Sequence, residues 1–210
     1  MSRSKKIFGL IARDLPGVVL CKDMLVVVPT QHIVRGFLLE TTTEKDKIYL
    51  WRAITPLHRP MQHPFLDYSE RIPNGQKVFI NRSAYQESAD TIRSIITEHI
   101  PFLRRILQPQ DFLRHIEPKI RNRSILFRID LALTYYLVGK RSQSIEIFRE
   151  LDVEVDRLDE MQQQYVLPLV KRVVHEIDTN PRGLTPLLDE WETQNVEILE
   201  LQPARVLPSK

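Results

Sequence analysis

The period of the hydrophobic pattern changes once along the chain, near residue 82. Before that point, apolar residues come in short runs rich in β-branched and aromatic side chains. Val18-Val19-Leu20 and Met24 to Val28 are two such runs, and Pro29 closes the second. Residues 32–42 (HIVRGFLLETT) and 48–57 (IYLWRAITPL) follow, joined by the polar stretch 43–47. Two β-rich runs around a short polar link predict an antiparallel hairpin over 32–57. Ile33, Phe37 and Leu39 share one face of its first arm, with Arg35 among them. In the second arm Tyr49, Trp51 and Ala53 alternate with Ile48, Leu50, Arg52 and Ile54. Apolar residues on both faces predict a sheet covered at least partly on both sides. Residues 55–64, with three prolines and two histidines, read as a loop. Phe65 to Ile72 reads as a strand, Pro73-Asn74-Gly75 as a turn, and 77–81 as a further short strand.

After Arg82 the spacing becomes helical. Ser83 with Gln86 has the form of a capping box. Ala89, Ile92, Ile96, Ile100, Leu103 and Leu107 then form one stripe, with Pro101 expected to kink or divide the helix. Pro109 to His115 predicts a second short helix. Further helices are expected from Ser124, from Ser142, from Asp156 or Asp159, and over 184–201. The start of the chain, ahead of Pro16-Gly17, predicts a short amphipathic helix. Its apolar stretch, Ile7 to Ala12, is too short for a secretory leader. These elements predict an α+β fold: an N-terminal antiparallel sheet of four or five strands, then an all-helical part. The expected division is a β-rich region over 1–82, a helical region over 83–201 and a flexible tail over 202–210.

Residues 125–152 carry Leu131-Ala132, Tyr135, Gly139, Ser144 and Phe148 at positions suited to two close antiparallel helices. This stretch resembles one tetratricopeptide repeat, a helix–turn–helix unit. Leu131-Ala132 stands for the family's Leu-Gly pair, and Tyr135 and Phe148 for its aromatic residues. Ser144 takes the place of its small alanine. Arg128 replaces the usual Trp, and the closing Pro is absent. The resemblance covers 28 of 210 residues, with no second copy at a period of about 34 residues. It implies a helical hairpin packed on its neighbours, with Tyr135 and Phe148 between the two helices.

Charge changes the picture more than composition does. Residues 1–149 hold 24 Lys/Arg against 14 Asp/Glu, whereas residues 150–200 hold 4 against 13. A basic body with an acidic end can pair within one molecule, pair between copies, or steer a partner. The longest strictly apolar run, Met24 to Val28, is far short of the ~20 residues a membrane helix needs. A single cysteine, Cys21, cannot form an internal disulfide or a thiolate cluster, and it reads as a buried inert thiol. A soluble cytoplasmic protein without a membrane partner is expected.

Reactive constellations are sparse. The six glycines are dispersed, without a phosphate-binding loop or a nucleophile elbow. His58 and His63 lie five apart in the Pro-rich loop with Asp67 beyond them. They are weak metal candidates, since a helical zinc pair stands four apart beside a Glu. Neither a catalytic residue nor a cofactor is assigned. The clearest basic cluster is Arg104, Arg105, Arg114, Lys119, Arg121 and Arg123, continued by Arg128. Phosphate neutralisation would suit it, but it has no interleaved aromatics for stacking.

The favoured expectation is a non-catalytic protein–protein interaction module: an adaptor, an antitoxin-like inhibitor or a complex subunit. Its partner-binding residues are expected to be Asp152, Glu154, Asp156, Asp159 and Glu160, with the 55–64 loop as a second surface. Homo-oligomers are compatible with the charge asymmetry. One alternative is nucleic-acid binding through the 104–128 segment. Another is a small metal-dependent or acid–base enzyme built on the His58/His63 loop.

Overall fold

A computed structural model describes residues 2–61, 68–81, 83–119, 124–180 and 182–205. In chain order the elements are α1 (Arg3–Asp14), β1 (Val18–Cys21), β2 (Met24–Val27), β3 (Ile33–Thr41), β4 (Lys47–Pro56), β5 (Glu70–Phe79), α2 (Tyr85–Arg104), α3 (Pro109–Ile116), α4 (Ile125–Leu137), α5 (Arg141–Glu154), α6 (Glu160–Thr179), α7 (Thr185–Ile198) and α8 (Gln202–Arg205). The fold is α+β. The chain forms two compact units. The first comprises residues 1–57, 61–108 and 195–210; the second comprises 58–60 and 109–194. Helix α2 therefore groups with the sheet.

The sheet of the first unit is an antiparallel meander in the order β1-β2-β3-β4-β5. Its central hairpin pairs Ile33 with Pro56 through to Thr41 with Ile48. Alternation along the strands gives two faces. One carries Leu25, Val27, Phe37, Ile48, Leu50 and Ile54, all buried under α1 and α2. Helix α1 contributes Ile7, Phe8 and Ile11, and its N-cap Ser2 accepts from the Lys5 amide. Helix α2 contributes Ala89, Ile92, Ile96, Ile100 and Leu103, the stripe its spacing predicts. Pro101 lies inside this helix, which ends three residues later at Arg104. Arg35, on the buried face, is 1% exposed. Its guanidinium donates to the carbonyls of Leu103, Val27 and Pro29, so backbone oxygens solvate the buried charge. Gly36 sits where a Cβ would collide with the Leu25 carbonyl on the neighbouring strand.

Three local features differ from the pattern's expectation. Pro73-Asn74-Gly75 does not separate two strands. β5 runs through it, and the register jumps from Tyr49↔Lys77 to Leu50↔Ile72. The extra residues are absorbed as an irregularity with Gly75 at φ +76°, because a Pro-Asn-Gly signal serves a bulge as well as a hairpin turn. Ser83 is not the cap of α2. Ala84 holds that position without a side-chain bond, and the Asn81 side chain accepts the Ser83 amide instead. The segment after 201 is not all frayed tail. α8 spans Gln202–Arg205, Ala204 is fully buried, and its carbonyl accepts the Thr30 amide.

The second unit is helical. Ser124 caps α4 by accepting from the Phe127 amide, and Asp159 caps α6 by accepting from the Gln162 amide. Gly139, at φ +83°, ends α4. Its amide donates to the Tyr136 carbonyl and the Lys140 amide to the Tyr135 carbonyl, closing the helix before α5 begins. Helices α4 and α5 pack as a hairpin, followed by α6. The core combines Ile129, Ala132, Leu133 and Tyr136 with Phe148, Leu151, Val170, Val173, Leu184 and Trp191. Tyr136, not Tyr135, joins Phe148 in this cluster. Tyr135 donates its hydroxyl to Glu117.

Candidate functional site

The acidic residues expected to bind a partner sit at the α5–α6 junction, and the structure separates them into two kinds. Asp152 is 2.9 Å from Lys171 Nζ, and the carboxylate holds that ammonium above the usual lysine range. Glu154 and Glu150 both accept from Arg128. Asp159 is spent on the α6 cap. These carboxylates brace the helices. Asp156 and Glu160 lie on the exposed surface, where Asp156 carries the last acidic charge before the cap and Glu160 opens α6. On the same helix pair are Val153, 63% exposed, and Tyr165, 70% exposed. Helical spacing through Met161, Tyr165, Leu169, Val173 and Ile177 predicts a core position for Tyr165, which the structure instead leaves exposed. The buried stripe is Val166, Val170 and Val173, one position out of phase with Tyr165 and Leu169.

The basic segment divides between the two units at Gln108 and Pro109. Arg104 and Arg105 are exposed at the end of α2 in the first unit. Arg114 is exposed in the second and donates to Asp111 at 2.5 Å. Lys119 closes a short 3-10 turn after α3. Arg121 and Arg123 lie outside the described residues. Arg128 turns to the acidic end of α5, as noted.

His58 is 1% exposed and belongs to the helical unit. Its ring meets Phe112 edge-on, with centroids 6.3 Å apart. Thr134 Oγ1 donates to the Asp130 carbonyl at 2.6 Å, so His58 Nε2–H donates to Thr134 Oγ1 at 3.2 Å. Beside it Arg59 forms a forked pair with Asp130 at 2.6 and 3.0 Å. His63 and Asp67 lie outside the described residues. Among the described residues no three His, Cys, Asp or Glu side chains are grouped to hold a metal ion. Cys21 is buried, and desolvation pushes its thiol up to about 11.

A further cluster lies on the other face of the sheet. Leu38, Trp51 and Arg71 are direct cross-strand neighbours, as are Glu40, Tyr49 and Lys77, and Lys47 and Phe79. At the β1–β3 end this face is covered: Met24, Val26 and Leu38 pack with Val196, Leu199, Leu201 and Ala204. At the β4–β5 end it carries rings and cations. The Arg71 guanidinium lies 3.9 Å from the Tyr49 ring centre and 4.7 Å from that of Trp51. Glu40 fixes this stack by accepting from Trp51 Nε1 at 2.7 Å and from Arg71 at 3.2 Å. Lys77 lies over Tyr49 at 5.8 Å and pairs with Glu44, which also pairs with Lys47. Bonding first to Lys47 and then to Lys77 brings the Glu44 carboxyl down to about 2. Phe79 stands 63% exposed at the end of the row. The alternation of Tyr49 and Trp51 is visible in the sequence. Their cationic partners are not, because they become neighbours only once β5 is read as one strand with a bulge.

Comparison with protein-family models, with curated proteins and with solved structures finds no match. Among the described residues, no helix is long and apolar enough to cross a membrane.

Proposed function

We propose that the chain is a non-catalytic protein-interaction module of the adaptor, inhibitor or complex-subunit kind, acting in the cytoplasm, with its docking surface on α5–α6. The observation that supports this reading is the exposure of Tyr165 and Val153 on the helix pair whose junction carries the exposed carboxylates of Asp156 and Glu160. An exposed tyrosine joins a large apolar ring to a polar tip, which suits the centre of an interface. Exposed carboxylates on the same helix pair favour a basic rim and speed encounter. The partner is therefore a protein with an apolar pocket bordered by Lys or Arg. The α4–α5 hairpin, with its likeness to one tetratricopeptide repeat, packs on α6 through α5.

A photo-crosslinking residue at position 165 tests this in native lysate, with the same residue at the exposed Glu98 as control. The expected result is a discrete adduct from position 165 alone, suppressed when Asp156→Lys and Glu160→Lys are added. Absence of an adduct, or an adduct indifferent to charge reversal, contradicts the reading.

A further inference from the structure

We propose that the β4–β5 end of the outer sheet face is a separate binding site for single-stranded nucleic acid. This goes beyond the protein-docking reading and rests on different residues. The feature that carries it is Arg71. Its guanidinium lies 3.9 Å from the Tyr49 ring centre and 4.7 Å from that of Trp51 and donates to Glu40, while its side chain remains 39% exposed. The cation thus lies over the rings with part of its side chain open to solvent. Unpaired bases stack on aromatic rings and on guanidinium planes alike. Phe79 supplies a second stacking surface in the same row, and Lys77 sits between the two. Cross-strand partners of Arg71, Lys77 and Phe79 are Trp51, Tyr49 and Lys47, two residues apart each time. Two strand residues span ~7 Å, so the three residues are set along one row, with the Arg71 guanidinium and the Lys77 ammonium both reaching over Tyr49.

Charge complementarity favours a polyanion. The cations Lys47, Arg71 and Lys77 outnumber by one the carboxylates Glu40 and Glu44 with which they pair on this face. The unit that bears the face holds 17 Lys/Arg against 12 Asp/Glu, whereas the helical unit holds 13 against 15. Stacking surfaces interleaved with cations are the arrangement that single-strand binding uses. The linear 104–128 segment lacks it. A duplex buries its base faces, so it gains only the phosphate term here. Stacking planes and cations do not read the sugar, so RNA and DNA strands of one sequence bind alike.

Fluorescence anisotropy of the full chain tests this with a labelled 12-nucleotide strand of mixed sequence, as RNA, as DNA and as DNA duplex, at low and high salt. The expected result is binding of both single strands at low salt, with the duplex weaker. Phe79→Ala, at an exposed position, is expected to weaken binding roughly tenfold with little change in salt dependence. Arg71→Lys keeps the charge but loses the plane, and is also expected to weaken it. Lys77→Ala is expected to lower the salt slope by about one. No binding at low salt overturns the proposal, as does equal or tighter duplex binding. Single-strand binding unchanged by Phe79→Ala and Arg71→Lys but lost in Arg104→Ala/Arg105→Ala overturns it in favour of the end of α2. Loss of a captured protein on Phe79→Ala, without any oligonucleotide binding, assigns the face to a protein instead.

Discussion

Arg59 and Asp130, 71 positions apart in the chain, form a two-pronged ion pair inside the helical unit. Their side chains are 5% and 0% exposed. A forked guanidinium–carboxylate geometry is the one that best offsets the cost of burying two charges. Thr134 and His58 continue the polar cluster, through the Asp130 carbonyl. The tripeptide 58–60 is thereby anchored to α4.

Removing one partner leaves the other charge buried. Asp130→Ala and Arg59→Ala are each expected to destabilise the protein by about 3–5 kcal/mol, measured by urea unfolding. The double change Arg59→Met/Asp130→Leu is expected to recover most of that loss, because no buried charge remains. A double variant as unstable as the sum of the two single ones would show that the pair is not the source.

Ser144 lies at a buried position of α5. Its hydroxyl is buried, without a hydrogen-bond partner among the described residues. A buried hydroxyl left unpaired costs about 1–3 kcal/mol. Ser144→Ala is expected to be neutral or stabilising in thermal melts, unlike most core substitutions. A marked loss of stability would mean that the hydroxyl is bonded.

His99 reports on pH. Its pKa is lowered, first by burial and then by the charge of Arg52, which lies 3.3 Å from its Nδ1. Arg52 can only donate, so Nδ1 accepts and the ring is neutral. A lowered folded pKa means that the unfolded chain binds the proton first. The stabilisation is present above the unfolded value of about 6.5 and is lost as pH falls through the folded pKa. An NMR titration is expected to place the His99 midpoint below the ordinary histidine range. His99→Gln should flatten the corresponding slope of stability against pH. A midpoint at or above that range contradicts the assignment.

Much of the fold is legible in the pattern of residues. The helical stripe of α2 is buried from Ala89 to Leu103, and Ser124 and Asp159 cap the helices they precede. These are local matters of period and side-chain reach. What escaped the reading is non-local. A Pro-Asn-Gly signal cannot say whether a strand ends or bulges; that depends on the register of Tyr49 and Leu50 across from it. Charged Arg59 and Asp130 look like surface residues until the fold brings them together. The acidic segment read as one surface, yet Asp152 and Glu154 are consumed by Lys171 and Arg128. The stacked Arg71 depends on the same strand register and could not be anticipated.

The central claim is that α5–α6 presents a protein-docking surface, and quantitative capture from native lysate tests it most directly. The wild-type chain and a Val153→Ala/Tyr165→Ala variant serve as baits, matched for thermal stability. Both positions are exposed, so the variant is expected to fold within about 0.5 kcal/mol of wild type. The account predicts a defined partner that falls at least roughly tenfold with the variant, a loss of the size expected from truncating an interface hot spot. The same proteins captured in equal amounts by both baits would contradict it.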